Sequence, residues 1–179
     1  KGRWRMDKPN PEKVRDLVVL NAIEVEKVAS EVDFVFSAVS MSKDEIKKIE
    51  EEYAKTETPV VSNNSAHRWT PDVPMIVPEI NPDHTAVIKY QRERLGTKKG
   101  FIAVKPNCSI QSYAPALSAW LKFEPYEVIA TTYQAISGAG KTFADWPEME
   151  GNIIPFISGE EEKSEKEPLR IWGHVDDAK

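Results

Sequence analysis

The chain has 179 residues, with 24 Lys and Arg against 29 Asp and Glu and a formal net charge of −5. That balance, without a Lys/Arg stripe interleaved with aromatics, excludes a nucleic-acid footprint. No apolar run is long enough to span a bilayer, no signal-peptide core opens the chain, the lone cysteine excludes an internal disulfide, and no Cys/His cluster has metal-ligand spacing.

In chain order, Leu17-Val18-Val19-Leu20 and Phe34-Val35-Phe36 read as short buried strands. A charged amphipathic helix is predicted between Ser42 and Lys55, with Ser42 and Glu45 forming a capping box. Pro59-Val60-Val61-Ser62 reads as the next strand. Asn81 is expected to cap a helix with Pro82 at its first position and Gly96 at its end. A strand ending at Val104 and a helix opening near Cys108 follow, with Leu117, Trp120 and Leu121 on later turns. Pro115 is expected to kink or interrupt that helix, so that it starts later. Residues 122–126 read as a linker, and Val128-Ile129-Ala130-Thr131-Thr132-Tyr133 has strand composition. Strands alternating with helices imply a mostly parallel α/β sheet.

Cys108 is the residue with the most chemical promise. It sits in Lys105-Pro106-Asn107-Cys108-Ser109, between an apolar strand and a helix start. A thiol there meets unpaired backbone N–H groups and the positive end of a helix dipole, which favours thiolate and makes a nucleophile. A small apolar residue packed under a helix is the plainer alternative. Downstream, Gln134-Ala135-Ile136-Ser137-Gly138-Ala139-Gly140 pairs an amide with a glycine turn that lets a ligand approach closely.

These two segments resemble aspartate-β-semialdehyde dehydrogenases. Ser62-Asn63-Asn64-Ser65-Ala66-His67-Arg68, Pro71-Asp72-Val73-Pro74, Val77-Pro78-Glu79-Ile80-Asn81 and Gly159-Glu160-Glu161-Glu162-Lys163 extend the likeness over nearly the whole chain. The resemblance implies a Rossmann-like NADP-binding domain over residues 1–121 and the beginning of an α+β catalytic and dimerisation domain over 122–179. Its glycine-rich pyrophosphate turn does not occur before Leu17, and its second substrate Arg and general acid/base His would lie beyond the last residue. The expectation is therefore an internal piece of a longer protein, with the N-terminal part of the Rossmann-like sheet missing. His174 falls too early to be that histidine, and His67 reads as a loop residue.

The implied reaction is reversible, NADP-dependent reductive dephosphorylation of L-aspartyl-4-phosphate to L-aspartate-4-semialdehyde through a cysteine thioester. The implied setting is biosynthesis of the aspartate-family amino acids, in a cytoplasmic homodimer or homotetramer. Small-molecule substrate and inorganic phosphate are the expected partners, with neither nucleic acid nor membrane. The resemblance assigns Cys108 as nucleophile and Gln134 to orienting substrate beside it. Asn107, Arg68, Glu160 and Lys163 would bind substrate; Ser37, Ala38, Ser137, Gly138 and Gly140 would line the cofactor site. Each has a plainer reading: a turn residue for Asn107, a strand-end amide for Gln134, a surface residue for Arg68, a solvated helix face for Glu160 and Lys163. Glu161 replaces Glu160 if the register slips by one. Two other functions stay open: a sister reductase acting on N-acetylglutamyl-phosphate or malonyl-CoA, and a catalytically dead piece.

Overall fold

The structure is a computed structural model that describes residues 7–9 and 11–176. Three short strands form a parallel sheet in the order β1 (Val35–Ser37), β2 (Val60–Ser62), β3 (Ile102–Val104). Val35 pairs with Val60 and Val60 with Ile102, so the register runs straight across. Parallel neighbours need crossovers, and here helices supply them. Two short helices, α1 (Glu12–Arg15) and α2 (Val25–Ala29), precede β1; α3 (Lys43–Lys55) links β1 to β2. A 3-10 turn at Pro82–Val87 runs into α4 (Ile88–Leu95), which leads to β3. Beyond β3 lie α5 (Cys108–Trp120) and α6 (Glu160–Ile171), which pack on each other.

Local chemistry explains several boundaries. Ser42 Oγ accepts from Glu45 N while the Glu45 carboxylate accepts from Ser42 N at 3.0 Å, the expected capping box. Gly96 ends α4 in the left-handed region at φ 71°, where a side chain is disfavoured. Asn81 precedes its helix as expected, but its side chain does not cap it. Asn81 Oδ1 accepts from Val77 N at 2.8 Å and Nδ2 donates to Met75 O at 2.9 Å, so the first turn tightens to 3-10.

The core fills the space around the sheet. Val60, Val73, Met75 and Ile102 are fully buried, with Val104, Ile110 and Ile171 beside them. The backbone around Met75 extends the pairing of β3: Val104 N donates to Pro74 O and Ile76 N to Val104 O. Gln91, fully buried on α4, accepts from Ile102 N at 2.6 Å and donates to Ile102 O at 3.0 Å, which ties α4 to β3.

Further sequence expectations fail, each for a tertiary reason. Phe34-Val35-Phe36, read as a buried strand, lies at β1 (Val35–Ser37), but Phe34 and Phe36 are 50% and 75% exposed because no helix among the described residues covers them. Leu17, Val18 and Val19 are 69%, 80% and 95% exposed and form no strand. Val128-Ile129-Ala130-Thr131-Thr132-Tyr133 is likewise irregular and exposed. Both have strand composition, but a strand needs a neighbour, and none lies beside either among the described residues. Pro115 does not delay α5, which runs unbroken from Cys108. The ring lies on the exposed side of the helix, while Ile110 and Ala114 are fully buried and Asn107 caps the start; together these outweigh one missing intrahelical bond.

Candidate active site

The site is built where β3 ends and α5 begins. Asn107 is the N-cap: its Oδ1 accepts from Ser109 N at 2.8 Å, satisfying one orphan donor of the first turn. Cys108 is the first helical residue, and its side chain is exposed. The thiol therefore stands at a helix N-terminus open to a substrate, not packed beneath the helix.

Around it, α6 contributes a carboxylate. Glu160 accepts from Asn107 Nδ2 at 3.1 Å on both oxygens, from Gln134 Nε2 at 2.9 Å and from Lys163 Nζ at 2.7 Å. Burial pushes the Glu160 carboxyl up, but hydrogen bonds from Lys163, Gln134 and Asn107 outweigh it and hold the pKa below the usual value. Gln134 Nε2 also donates to Ser109 Oγ at 2.9 Å, tethering the glycine turn to the start of α5. Asn107, Gln134, Glu160 and Lys163 thus converge beside Cys108. Glu161, the alternative register, is exposed.

Arg68 lies on a different arm of the site. It is 6% exposed; Nε donates to Lys105 O at 3.1 Å and Nη1 pairs with Glu167 Oε1 at 3.1 Å. A cavity of about 450 Å³ opens beside it, lined by Lys43, Ser65, Arg68, Lys163 and Lys166 among others. Its four cations outnumber the two carboxylates that also line it, Glu162 and Glu167. Although Arg68, Lys163 and Lys166 are each ion-paired, the excess positive charge suits an anion.

Two residues escaped the sequence reading. Lys105 lies close enough to Cys108 to interact with it electrostatically; burial and then the nearby Arg68 charge lower its pKa, partly offset by Cys108 and Glu167. Its place three residues before the thiol was the available signal. Glu167 is 1% exposed, within a run that reads as solvated. The helical period was its signal: residues 160, 163, 164, 167 and 171 share the inward face of α6. His67 is a buried structural residue, with Nδ1 3.1 Å from Thr70 Oγ1 and its pKa lowered by burial.

The residues assigned to the cofactor fall in two places. Ser37 ends β1, buried, with its Oγ accepting from Asn64 Nδ2 at 3.1 Å. Asn64 also donates to the buried Glu50, so the strand ends rest on a polar floor. Ala38 and Ser40, just beyond, are exposed. Ser137, Gly138 and Gly140 lie on or beside the exposed 3-10 turn Ile136–Ala139, which Gly140 closes at φ 69°. A Cβ added at Gly138 would meet Gln134 Oε1 at 3.8 Å, so the turn has room on that side. Small side chains at the carboxyl end of a parallel strand and an open glycine turn fit a nucleotide, which in such sheets sits beyond the strand ends.

A small parallel α/β sheet, with an exposed cysteine at the N-terminus of the helix that follows β3, has the frame of a nucleotide-binding α/β domain. Residues 2–88 match the family model of the semialdehyde dehydrogenase NAD binding domain, and the chain belongs to the semialdehyde dehydrogenase family. It is 40% identical over 175 residues to the aspartate-semialdehyde dehydrogenase of Cryptococcus neoformans, covering 97% of this chain and 47% of that protein. The crystal structure of aspartate semialdehyde dehydrogenase with NADP from Candida albicans superposes with a TM-score of 0.75 at 36% identity, covering 98% of this chain and 48% of that one. A malonyl CoA reductase (NADP) of Metallosphaera sedula is 36% identical over 83% of this chain and 41% of its own length. The chain spans about half the length of the curated relatives it matches.

Proposed function

We propose that the protein catalyses the reversible, NADP-dependent reductive dephosphorylation of L-aspartyl-4-phosphate to L-aspartate-4-semialdehyde. The observation that carries this reading is the convergence of Asn107, Gln134, Glu160 and Lys163 on the helix start that exposes Cys108. Residues 1–121 would be the nucleotide-binding domain and 122–179 the beginning of the catalytic and dimerisation domain.

In the biosynthetic direction the Cys108 thiolate attacks the substrate acyl carbon. A C–S bond forms, the C–O bond to phosphate breaks, and inorganic phosphate departs. The thioester left on Cys108 is less resonance-stabilised than an ester, so its carbonyl carbon accepts hydride readily. Ala38 and the turn carrying Ser137, Gly138 and Gly140, above the Ser37 floor, would hold the cofactor, which as NADPH would supply that hydride and as NADP would accept it in reverse. The resulting thiohemiacetal collapses: its C–S bond breaks, the aldehyde carbonyl re-forms and the thiolate is regenerated. The amide N–H donors of Asn107 and Gln134, which meet Glu160 at the start of α5, would turn to the substrate oxygen on which charge develops.

Glu160 and Lys163 would recognise the substrate's own charges. An incoming ammonium exchanges with Lys163 at the Glu160 carboxylate, and Lys163 turns towards an anion. Arg68, Lys43 and Lys166 line a cavity that a departing phosphate would enter, competing with the Glu162 and Glu167 carboxylates for these cations. The carboxylate at the site favours an amino-acid substrate over malonyl-CoA, and comparative turnover on malonyl-CoA and N-acetylglutamyl-phosphate separates these readings.

The test is phosphate-dependent reduction of NADP by the full-length protein with L-aspartate-4-semialdehyde. Cys108→Ala should abolish it. Full activity in that variant removes the nucleophile assignment and the reading with it.

A further inference from the structure

Glu167 has no part in the scheme above, yet it is among the most buried side chains, at 1% exposure. Its Oε2 accepts from the backbone N–H of Asn107 at 2.6 Å, across 60 positions of chain. Its Oε1 accepts from Arg68 Nη1 at 3.1 Å, and Arg68 Nε in turn donates to Lys105 O at 3.1 Å. The turn that presents Cys108 is therefore held at two backbone groups, the Lys105 carbonyl and the Asn107 amide, by one buried ion pair.

We propose that Glu167 is a positioning residue for the reaction: its carboxylate fixes the backbone of the turn from Lys105 to Asn107 and so sets where the Cys108 sulfur stands. This rests on the reading of Cys108 as the nucleophile. The physical case is that a carboxylate accepting a buried backbone N–H makes a short, charge-assisted bond. Removing it leaves two buried donors, the Asn107 amide and Arg68 Nη1, without their acceptor. A shift of about an ångström in a nucleophile is enough to cost on the order of a hundredfold in rate.

The position of Glu167 in α6 adds a consequence. Glu160 stands two helical turns earlier on the same face, so a single rigid helix carries both the carboxylate at the substrate and the clamp on the nucleophile turn. Arg170, a turn of helix further on, donates to the carbonyls of Arg68, Thr70 and Val73 and seats that helix. Docking of α6 thereby assembles both halves of the site together.

The experiment compares Glu167→Met and Glu167→Gln in the full-length protein, reading backbone amide exchange over residues 105–109 by mass spectrometry together with steady-state kinetics. Glu167→Met, similar in size but without an acceptor, should exchange that segment at least tenfold faster. Its kcat per folded molecule should fall at least 30-fold with KM for the semialdehyde within threefold. Glu167→Gln keeps an amide oxygen for Asn107 and should recover kcat to within fivefold of the native protein. A purely structural role would lower the folded fraction of both variants and leave kcat per folded molecule unchanged. Native exchange at residues 105–109 in Glu167→Met, or kcat within threefold of native, overturns the proposal. If Glu167→Met does not fold, Glu167→Asp, one methylene short of Asn107, takes its place, and a kcat no lower than that of Glu167→Gln overturns it. Full-length native protein without reductase activity would refute the proposed function instead, and the exchange measurement would still decide what Glu167 holds.

Discussion

Replacing Glu160 by Gln tests substrate recognition most directly. In the structure its carboxylate accepts from Asn107, Gln134 and Lys163 at 3.1, 2.9 and 2.7 Å. Glutamine keeps one acceptor oxygen and the volume but loses the charge that an ammonium substrate needs. A hydrogen bond to a charged group contributes about 1.5–3 kcal/mol, which corresponds to a loss of roughly 10- to 150-fold in kcat/KM. The assay is steady-state turnover of L-aspartate-4-semialdehyde against succinate semialdehyde, the same aldehyde without the ammonium group. The native protein should prefer the amino compound, and Glu160→Gln should lose that preference while acting on succinate semialdehyde within threefold of native. An equal loss on both aldehydes would show that Glu160 only props up Asn107 and Gln134. An unchanged kcat/KM on the amino substrate would remove Glu160 from recognition altogether.

Further outcomes follow from the fold and can be read in the full-length protein. The Glu57 carboxylate accepts backbone N–H bonds from Gly100, Lys99 and Lys98, which lower its pKa to about 2. Its contribution is complete above the ordinary value of 4.5 and is lost as pH falls towards 2, because the unfolded chain takes up the proton first. Thermal unfolding midpoints across that window should fall less steeply in Glu57→Gln than in the native protein. Gly100 packs so closely on α3 that an added Cβ would collide with the backbone carbonyl of Ala54. Gly100→Ala must displace backbone and should cost more than about 2 kcal/mol, read as a lower urea midpoint. Met75 is fully buried in the core, so Met75→Ala should cost about 2–5 kcal/mol by the same measure.

Local chemistry was legible wherever neighbours in sequence decide the outcome. Ser42 and Glu45 close a capping box because both partners lie in one turn, and Gly96 ends α4 because only its backbone accepts that conformation cheaply. The Asn107 cap also spans only two residues, but Pro115 a few positions on led the sequence reading to place the helix start later than Cys108. The strands at Val60 and Ile102 could be read from composition because the chain around them supplies partners. Residues 17–20 and 128–133 have the same composition and form no strand, since a β-strand is stabilised by what lies beside it.

The site divides along the same line. By itself the sequence determined which groups could do chemistry: one thiol at a helix start, a nearby amide, a glycine turn and a charged run. The tertiary structure alone decided which members of that run face inward. It chose Glu160 over Glu161, turned Glu167 from a solvated charge into a buried clamp, and joined Arg68 to a carboxylate 99 positions away. Helical periodicity narrows the choice to a face, but which face is buried depends on the packing of α6 against α5 and the segment around Arg68. Those contacts are long-range, and no window of sequence contains both sides of them.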